Sequence, residues 1–350
     1  MSIAVLYEHP EWFTPLFEIL RQRKLSHHLI NATALSWDPS TRPSFDLLVN
    51  RMSPSAYLRG HKHAVHSVAR FLEYVESYKI PIINGLDAYR LEISKSAQLD
   101  LFERLRVPYP KAHIVNNPNQ TLEAARNLQF PLVVKPNIGG SGAGIQRYDT
   151  LTQLQATISE GDLDFGLDDT ALIQEFIAAK EGSIVRVELL NKCPLYAIKI
   201  TPPHGFGFNL CPADICQNEA TTENNEPIEN DSPAPLEANM CPQKPAMQIE
   251  ATKVPNSIMA HAISIAESAD LDICGIEYLE DARDGKPYFY DINALSNFVT
   301  DATKIVGFDP FEKFVDYIAY RHESRKKRCH TTRSQQPDAT PELVGVGVSD

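Results

Sequence analysis

The chain has 350 residues, 43% hydrophobic and 22% charged, with a formal net charge of −12. That length calls for two or three packed units around a shared cleft, and the acidic balance argues against a broad basic face for nucleic acid or an anionic membrane. No run approaches the ~20 apolar residues that span a bilayer, and Met1 to Tyr7 lacks the regions of a secretory leader, so a cytoplasmic protein is expected.

From the N terminus, Ile3-Ala4-Val5-Leu6-Tyr7 and Asp46-Leu47-Leu48-Val49-Asn50 read as short strands. Residues 12–23 carry apolar side chains at helical spacing, and Val65, Val68, Ala69, Leu72 and Val75 share one helical face. Ile80-Pro81-Ile82-Ile83-Asn84-Gly85 ends the unit. This alternation predicts a small parallel α/β sheet domain over 1–94. A second unit, 95–177, holds a helix at 96–105, a strand near 112–115 and the strand Leu132-Val133-Val134-Lys135-Pro136. Gly139-Gly140-Ser141-Gly142-Ala143-Gly144 follows, and Leu172-Ile173-Gln174-Glu175-Phe176 reads as a further strand.

A third unit, 178–322, opens with apolar runs at 184–190 and 195–200, joined by Asn191-Lys192-Cys193-Pro194 as a hairpin. Between 217 and 250, seven acids stand against Lys244 alone: Glu219, Glu223, Glu226, Glu229, Asp231, Glu237 and Glu250. That composition predicts a mobile insertion, acting as a spacer rather than a lid. A helix at 256–269, a hairpin of 273–279 with 287–293, and a helix at 310–321 complete the unit. The polar tail, 323–350, is expected to be disordered. Cys193, Cys211, Cys216, Cys241, Cys274 and Cys329 form no CxxC pair and are expected as reduced thiols.

The glycine stretch is the first chemical signal, because backbone N–H groups reach phosphate oxygens most closely where no side chain intervenes. No Lys-Ser/Thr pair follows Gly144, and Ile145 breaks a dinucleotide fingerprint. Lys135, ending a buried strand four residues upstream, can aim a fixed charge at phosphates under the loop. Asp291 and Asn293, two apart on a strand, leave the same face and offer hard oxygen donors suited to Mg²⁺. Glu277 joins them if a three-residue loop, Arg283-Asp284-Gly285, sets the hairpin register. Arg51, at the end of an N-terminal strand, is placed to bind a substrate carboxylate, with Arg59, Lys62 and His63 nearby.

Lys95 before a helix, Phe130-Pro131-Leu132-Val133-Val134-Lys135-Pro136, the 139–144 loop, Gln174-Glu175-Phe176-Ile177 and Asp291-Ile292-Asn293 stand in the order found in ATP-grasp enzymes. The chain most resembles the RimK-like carboxylate–amine ligases over roughly residues 80–320, with Asp291 where a glutamate is more usual. The resemblance implies an α/β fold in which a small parallel sheet domain precedes two ATP-grasp subdomains that clamp ATP. It implies that Lys95 and Lys135 contact phosphates, and that Gly139, Gly140, Ser141, Gly142 and Gly144 form a lid. Glu175, with the backbone of Phe176 and Ile177 and with Gln174 beside them, would meet adenine. Glu277, Asp291 and Asn293 would hold Mg²⁺ or Mn²⁺. Arg186 would face substrate or phosphate, and Asn209 would reach the phosphate and metal centre. The chain departs from the family at Cys211-Pro212-Ala213-Asp214, where an arginine and glycines are expected, and at Ile184, where an acid for the ribose is frequent.

The function so implied is ATP- and Mg²⁺-dependent joining of a carboxylate to an amine through an acyl phosphate, acting on a small molecule or peptide. Nucleic-acid and membrane partners are not expected, and self-association is left open. An ATP-grasp kinase acting on a hydroxyl and a non-catalytic nucleotide-binding module are the rival readings.

Overall fold

The computed structural model describes residues 2–140, 142–203, 208, 210–212 and 247–333, with side chains described through 324. In the first of three sheets, β1 (Ile3–Tyr7), β2 (His27–Asn31), β3 (Leu47–Arg51) and β4 (Ile82–Ile83) lie parallel in the order β2-β1-β3-β4. Strands β1 and β3 are apolar on both faces because both faces are covered. Ile3, Val5, Leu47 and Val49 pack against α1 (Thr14–Gln22) and the last described helix, and Ala4, Leu6 and Leu48 against α2 (Lys62–Ser77). The edge strand β2 was not anticipated, since His27-His28-Leu29-Ile30-Asn31 is half exposed and lacks a continuous apolar run. Two helices, α3 (Leu86–Glu92) and α4 (Lys95–Leu105), lead out of this layer.

The second sheet is antiparallel, β5-β8-β6-β7, from β5 (Ala112–Val115), β6 (Leu132–Pro136), β7 (Gln146–Tyr148) and β8 (Ala171–Glu175). Its core face is covered by α5 (Pro118–Arg126) and α6 (Leu151–Glu160). A capping box between Thr150 and Gln153 starts α6 and satisfies two otherwise unpaired N–H groups.

The third sheet is also antiparallel, β11-β10-β9-β12-β13, from β9 (Ile184–Leu190), β10 (Cys193–Thr201), β11 (Gln248–Ala251), β12 (Ile273–Glu280) and β13 (Pro287–Asn293). Helix α4 and α7 (Asn256–Ser268) cover one face, burying Leu99, Phe102, Ile258 and Ile265 against Val187, Ile276 and Phe289. Asn191 and Lys192 both take positive φ, 52° and 61°, which suits a two-residue hairpin turn between β9 and β10. Helices α8 (Ala302–Ile305) and α9 (Pro310–Arg333) complete the described residues. Among the described residues, no helix is long and apolar enough to cross a membrane.

Two expectations are corrected. Gln248, Ile249 and Glu250, assigned to a mobile insertion, form part of strand β11, because Ile249 pairs with Ile200 and packs on an apolar cluster with Ile198. Helix α9 runs twelve residues beyond the predicted end at Arg321, so the tail does not begin as coil at 323. The rest of the insertion, 217–246, lies outside the described residues.

The register of β12 on β13 places Glu277 opposite Asp291, as expected, but by another route. Asp281 N–H donates to the Lys286 carbonyl at 2.9 Å and Glu280 pairs with Pro287, so the loop has four residues, 282–285, not three. Gly285 takes the left-handed position with φ 71°. An irregularity between Glu277 and Tyr278 then adds one residue to β13, at Tyr290. Without it, Glu277 would face Tyr290, and Asp291 would move opposite Ile276.

The first and third sheets are joined through Asn84, 2% exposed and left-handed at φ 52°. Its side-chain oxygen accepts from Asp272 N at 2.8 Å and Ile273 N at 3.1 Å, and its amide donates to the carbonyls of Ile273 at 2.8 Å and Ala294. Replacing it strands several buried partners and forces an unfavourable φ on the new residue. Asn84→Ala is expected to lower stability by about 3 kcal/mol or more in urea unfolding; a loss under about 1 kcal/mol would show that the junction does not depend on this side chain.

Candidate active site

Lys135 is the last residue but one of the all-buried strand β6, and after Pro136 the chain reaches Asn137, which fixes the start of α4. The Asn137 carbonyl accepts from Lys95 N–H at 3.1 Å, and its Oδ1 accepts from Ser96 N at 2.8 Å and Ser94 Oγ at 3.2 Å. Ser94 also caps α4 through Ala97 N. One asparagine thereby sets a strand end against a helix start and brings the two lysines to one wall.

The opposing wall is the β12–β13 hairpin. Lys95 Nζ lies 2.7 Å from Asp291 Oδ1, Asn293 Nδ2 lies 3.4 Å from both Glu277 Oε1 and Asp291 Oδ2, and Tyr290 Oη donates to Glu277 Oε2 at 2.9 Å. Arg186, on β9 beside β12, donates to Glu277 Oε1 at 2.8 Å, to Glu188 Oε1 at 2.6 Å and to Ser296 Oγ at 3.1 Å. Lys95, Lys135, Gly139, Gly140, Gly142, Arg186, Glu277, Asp291 and Asn293, all singled out from the sequence, line one cavity.

Charge in this cavity is balanced through contacts. Burial drives Lys135 down to about 7, and the neighbouring Lys95 adds to the shift. Burial also opposes the charge on Lys95, but the Asp291 carboxylate more than offsets it and raises its pKa. Asp291 is lowered overall, since Lys95 outweighs its burial. Burial raises Glu277 against the pull of Arg186. Burial likewise pushes Glu92, at the end of α3, up to about 7, with the Ala294 N–H as its opposing hydrogen bond.

Two carboxylates with an amide beside them fit Mg²⁺, which keeps several waters and needs few protein ligands, once the Asn293 oxygen turns to the side where its nitrogen now faces both carboxylates. Among the described residues, no group of three His, Cys, Asp or Glu side chains gathers around one point. The amide of Asn293 is therefore needed to complete a three-donor set.

Other candidates fall elsewhere. Gly144, with φ 71°, packs against Pro136, where a Cβ would sit 2.8 Å from Cγ. Gln174 is buried and donates to the Pro110 carbonyl at 3.2 Å, and Glu175 Oε1 accepts from Gln129 N at 2.9 Å, so both side chains serve as structural ties. Phe176 N–H is taken by the Pro131 carbonyl at 2.9 Å, and its ring lies under Arg147, 4.4 Å from the guanidinium. Ile177 is buried. These four residues lie outside the cavity lining. Ser141 and Asn209 lie outside the described residues, although Phe208, Leu210 and Cys211 line the cavity.

Arg51 is a correction. It is 0% exposed, does not line the cavity, and donates to the Ser296 carbonyl at 2.6 Å between the rings of Phe13 and Phe314. A strand end in a layer covered on both faces faced protein where solvent was expected. Nor does the expected basic patch reach the cavity: Arg59 pairs with Glu8 at 2.5 Å and His63 contacts the Thr33 carbonyl at 3.1 Å. Trp12, Ser53, Pro54 and Ser55 form that wall.

Sequence reasoning missed Glu188, Asn137, Tyr290, Ser296 and Glu92. A signal existed for Glu188, which shares a strand face with Arg186 two residues earlier.

The family model for the D-ala D-ala ligase C-terminus matches residues 101–205. A probable alpha-L-glutamate ligase of Haemophilus ducreyi is 22% identical over 165 residues, covering 46% of this chain and 50% of that protein. The tetrahydromethanopterin:alpha-L-glutamate ligase of Methanococcus maripaludis is 32% identical over 172 residues, covering 45% and 56%. The chain thus matches only about half the length of these relatives. Among solved structures, the RimK domain ATP-grasp protein of Sphaerobacter thermophilus superposes with a TM-score of 0.60 at 15% identity, covering 90% of this chain and 99% of that one. The D-alanine–D-alanine ligase of Bacillus anthracis complexed with ATP gives 0.58 at 14% identity, covering 94% and 98%.

Gly275 leaves room for Arg186: a Cβ there would lie 2.4 Å from Nη2 and 2.5 Å from Cζ and Nε. Gly275→Ala is expected to displace the guanidinium from two buried carboxylates and cost about 3 kcal/mol in urea unfolding. A neutral result would mean that Arg186 is not held by this stacking.

Proposed function

We propose that this chain, which has the ATP-grasp fold, is an ATP- and Mg²⁺-dependent ligase that joins a carboxylate to an amine through an acyl phosphate. The observation that carries the reading is the convergence of Lys95, Lys135 and a glycine loop with Glu277, Asp291 and Asn293 on one cavity. Matches to glutamate ligases and to a D-alanine–D-alanine ligase domain support the ligase class. The division into 1–94, 95–177 and 178–322 is part of the same reading, as is a cytoplasmic site of action, where ATP is supplied.

A carboxylate oxygen of the substrate attacks the γ-phosphorus of ATP, the bond to the bridging oxygen breaks, and ADP leaves. The amine then attacks the acyl carbon, loses a proton and expels inorganic phosphate. Glu277, Asp291 and Asn293 would hold the divalent ions, whose contribution would be charge neutralisation at the phosphates. Lys95 and Lys135 hold the phosphate oxygens, and incoming phosphate takes over the compensation that Asp291 gives Lys95. Gly139, Gly140 and Gly142 present main-chain N–H groups and exclude water that would hydrolyse the acyl phosphate. Arg186 is spent on Glu188 and Glu277, so its part is to orient a metal-binding carboxylate. With Phe176 N–H occupied, adenine is met by main chain further along, at Ile177. The substrate side of the cavity, with Trp12, Ser53, Ser55 and Ser296, suits a small amino acid or peptide.

The test is product analysis over a panel of amino acids and short peptides. ADP and free phosphate are expected only when a carboxylate and an amine are both present. ADP without free phosphate would indicate a kinase instead, and nucleotide binding without turnover across the panel would indicate a binding module.

Lys135 gives a pH signature. Its pKa of about 7 in the nucleotide-free protein rises when an anionic phosphate binds beside it. Affinity is therefore full below about pH 7 and falls as pH climbs toward the pKa in the complex. Calorimetry at about pH 8 in buffers of different ionisation enthalpy should show proton uptake on ADP binding; no uptake would remove Lys135 from the phosphate site.

A further inference from the structure

We propose that Arg51 is a positioning residue, holding the 295–297 loop so that Ser296 orients Arg186 and, through it, the Glu277 carboxylate. This rests on the metal-binding role proposed for Glu277.

The geometry is a relay through four buried groups. Arg51 Nη2, at the end of β3 in the first sheet, donates to the Ser296 carbonyl at 2.6 Å, with the Leu295 carbonyl at 3.4 Å. Ser296, 1% exposed, accepts from Arg186 Nη2 at 3.1 Å and donates to Glu188 Oε1 at 2.7 Å. Arg186 Nη1 then donates to Glu277 Oε1 at 2.8 Å. The far side of the loop is pinned by Phe298, whose φ of 58° is a conformation bulky side chains rarely adopt. Its ring sits edge-on to Phe311, with centroids 4.9 Å apart.

Packing alone does not call for an arginine here. Arg51 Nε and Nη1 are buried with no hydrogen-bond partner, and burial pulls its pKa down to about 10. An apolar side chain of similar volume would fill the space between Phe13 and Phe314 without desolvating a charge. What the guanidinium adds is the hold on the Ser296 carbonyl.

The experiment is calorimetric ADP binding to the full chain over a Mg²⁺ series, for wild type, R51M, R51K, S296A and the R51M/S296A double variant, with folding checked by circular dichroism. Wild type is expected to bind ADP in a Mg²⁺-dependent way. R51M and S296A are each expected to raise the Mg²⁺ concentration needed for half-maximal binding about tenfold, without changing metal-free ADP affinity. R51K, which keeps a donor, should recover most of that shift. In a serial relay the double variant is no worse than the larger single change. A folded R51M with wild-type Mg²⁺ dependence, or effects that multiply in the double variant, would overturn the relay. Should R51M not fold, S296A decides: a shift of about tenfold supports the relay and no shift overturns it. Mg²⁺-independent binding by wild type would bring down the metal reading itself, and the relay with it.

Discussion

The site depends on how one hairpin is paired. Side chains alternate across a sheet, so a slip of one residue between β12 and β13 would send Glu277 and Asp291 to opposite faces. The four-residue loop taken alone gives that wrong pairing, and the extra residue at Tyr290 corrects it. Arg186 reaches Glu277 through the direct pairing of β9 with β12, and the corrected register sets Asp291, held by Lys95, beside that carboxylate. Tyr290 also hydrogen-bonds Glu277, so the bulge itself contributes to the site.

Around that hairpin, buried charges form two opposed groups: Arg186 between Glu188 and Glu277, and Asp291 against Lys95, with Lys135 beyond. Each interior member satisfies a neighbour that burial would otherwise make costly. The sequence of contacts stops at Lys135, whose pKa is correspondingly pulled down to about 7. Under the proposed function, that least compensated cation stands where the phosphates would lie, and incoming ions and phosphates would exchange one set of partners for another.

Much of this was legible in the sequence because it is written in periodicity and in short motifs. Continuous apolar runs revealed β1, β3, β6 and β8, and the pair Asp291 and Asn293 revealed a donor face. What escaped was tertiary. Asn84 and Asn137 look like ordinary turn residues, and nothing local shows that each bonds to another layer. Strands β2 and β7 are short edge strands without the pattern of buried ones. Arg51 was misjudged because a strand end in an α/β layer is normally open, whereas here Phe13 and Phe314 close over it. Gln174 and Glu175 are fixed by hydrogen bonds to Pro110 and Gln129, and neither pairing leaves a local trace.

The second sheet meets the third at two hydrogen-bonded junctions: Asn137 against the first turn of α4, and Ala178 and Ala179 against Ala282 and Asp281. Lys95 belongs to the first junction itself, since its N–H is held by the Asn137 carbonyl, so the same asparagine that ends β6 also sets where the Lys95 side chain meets Asp291.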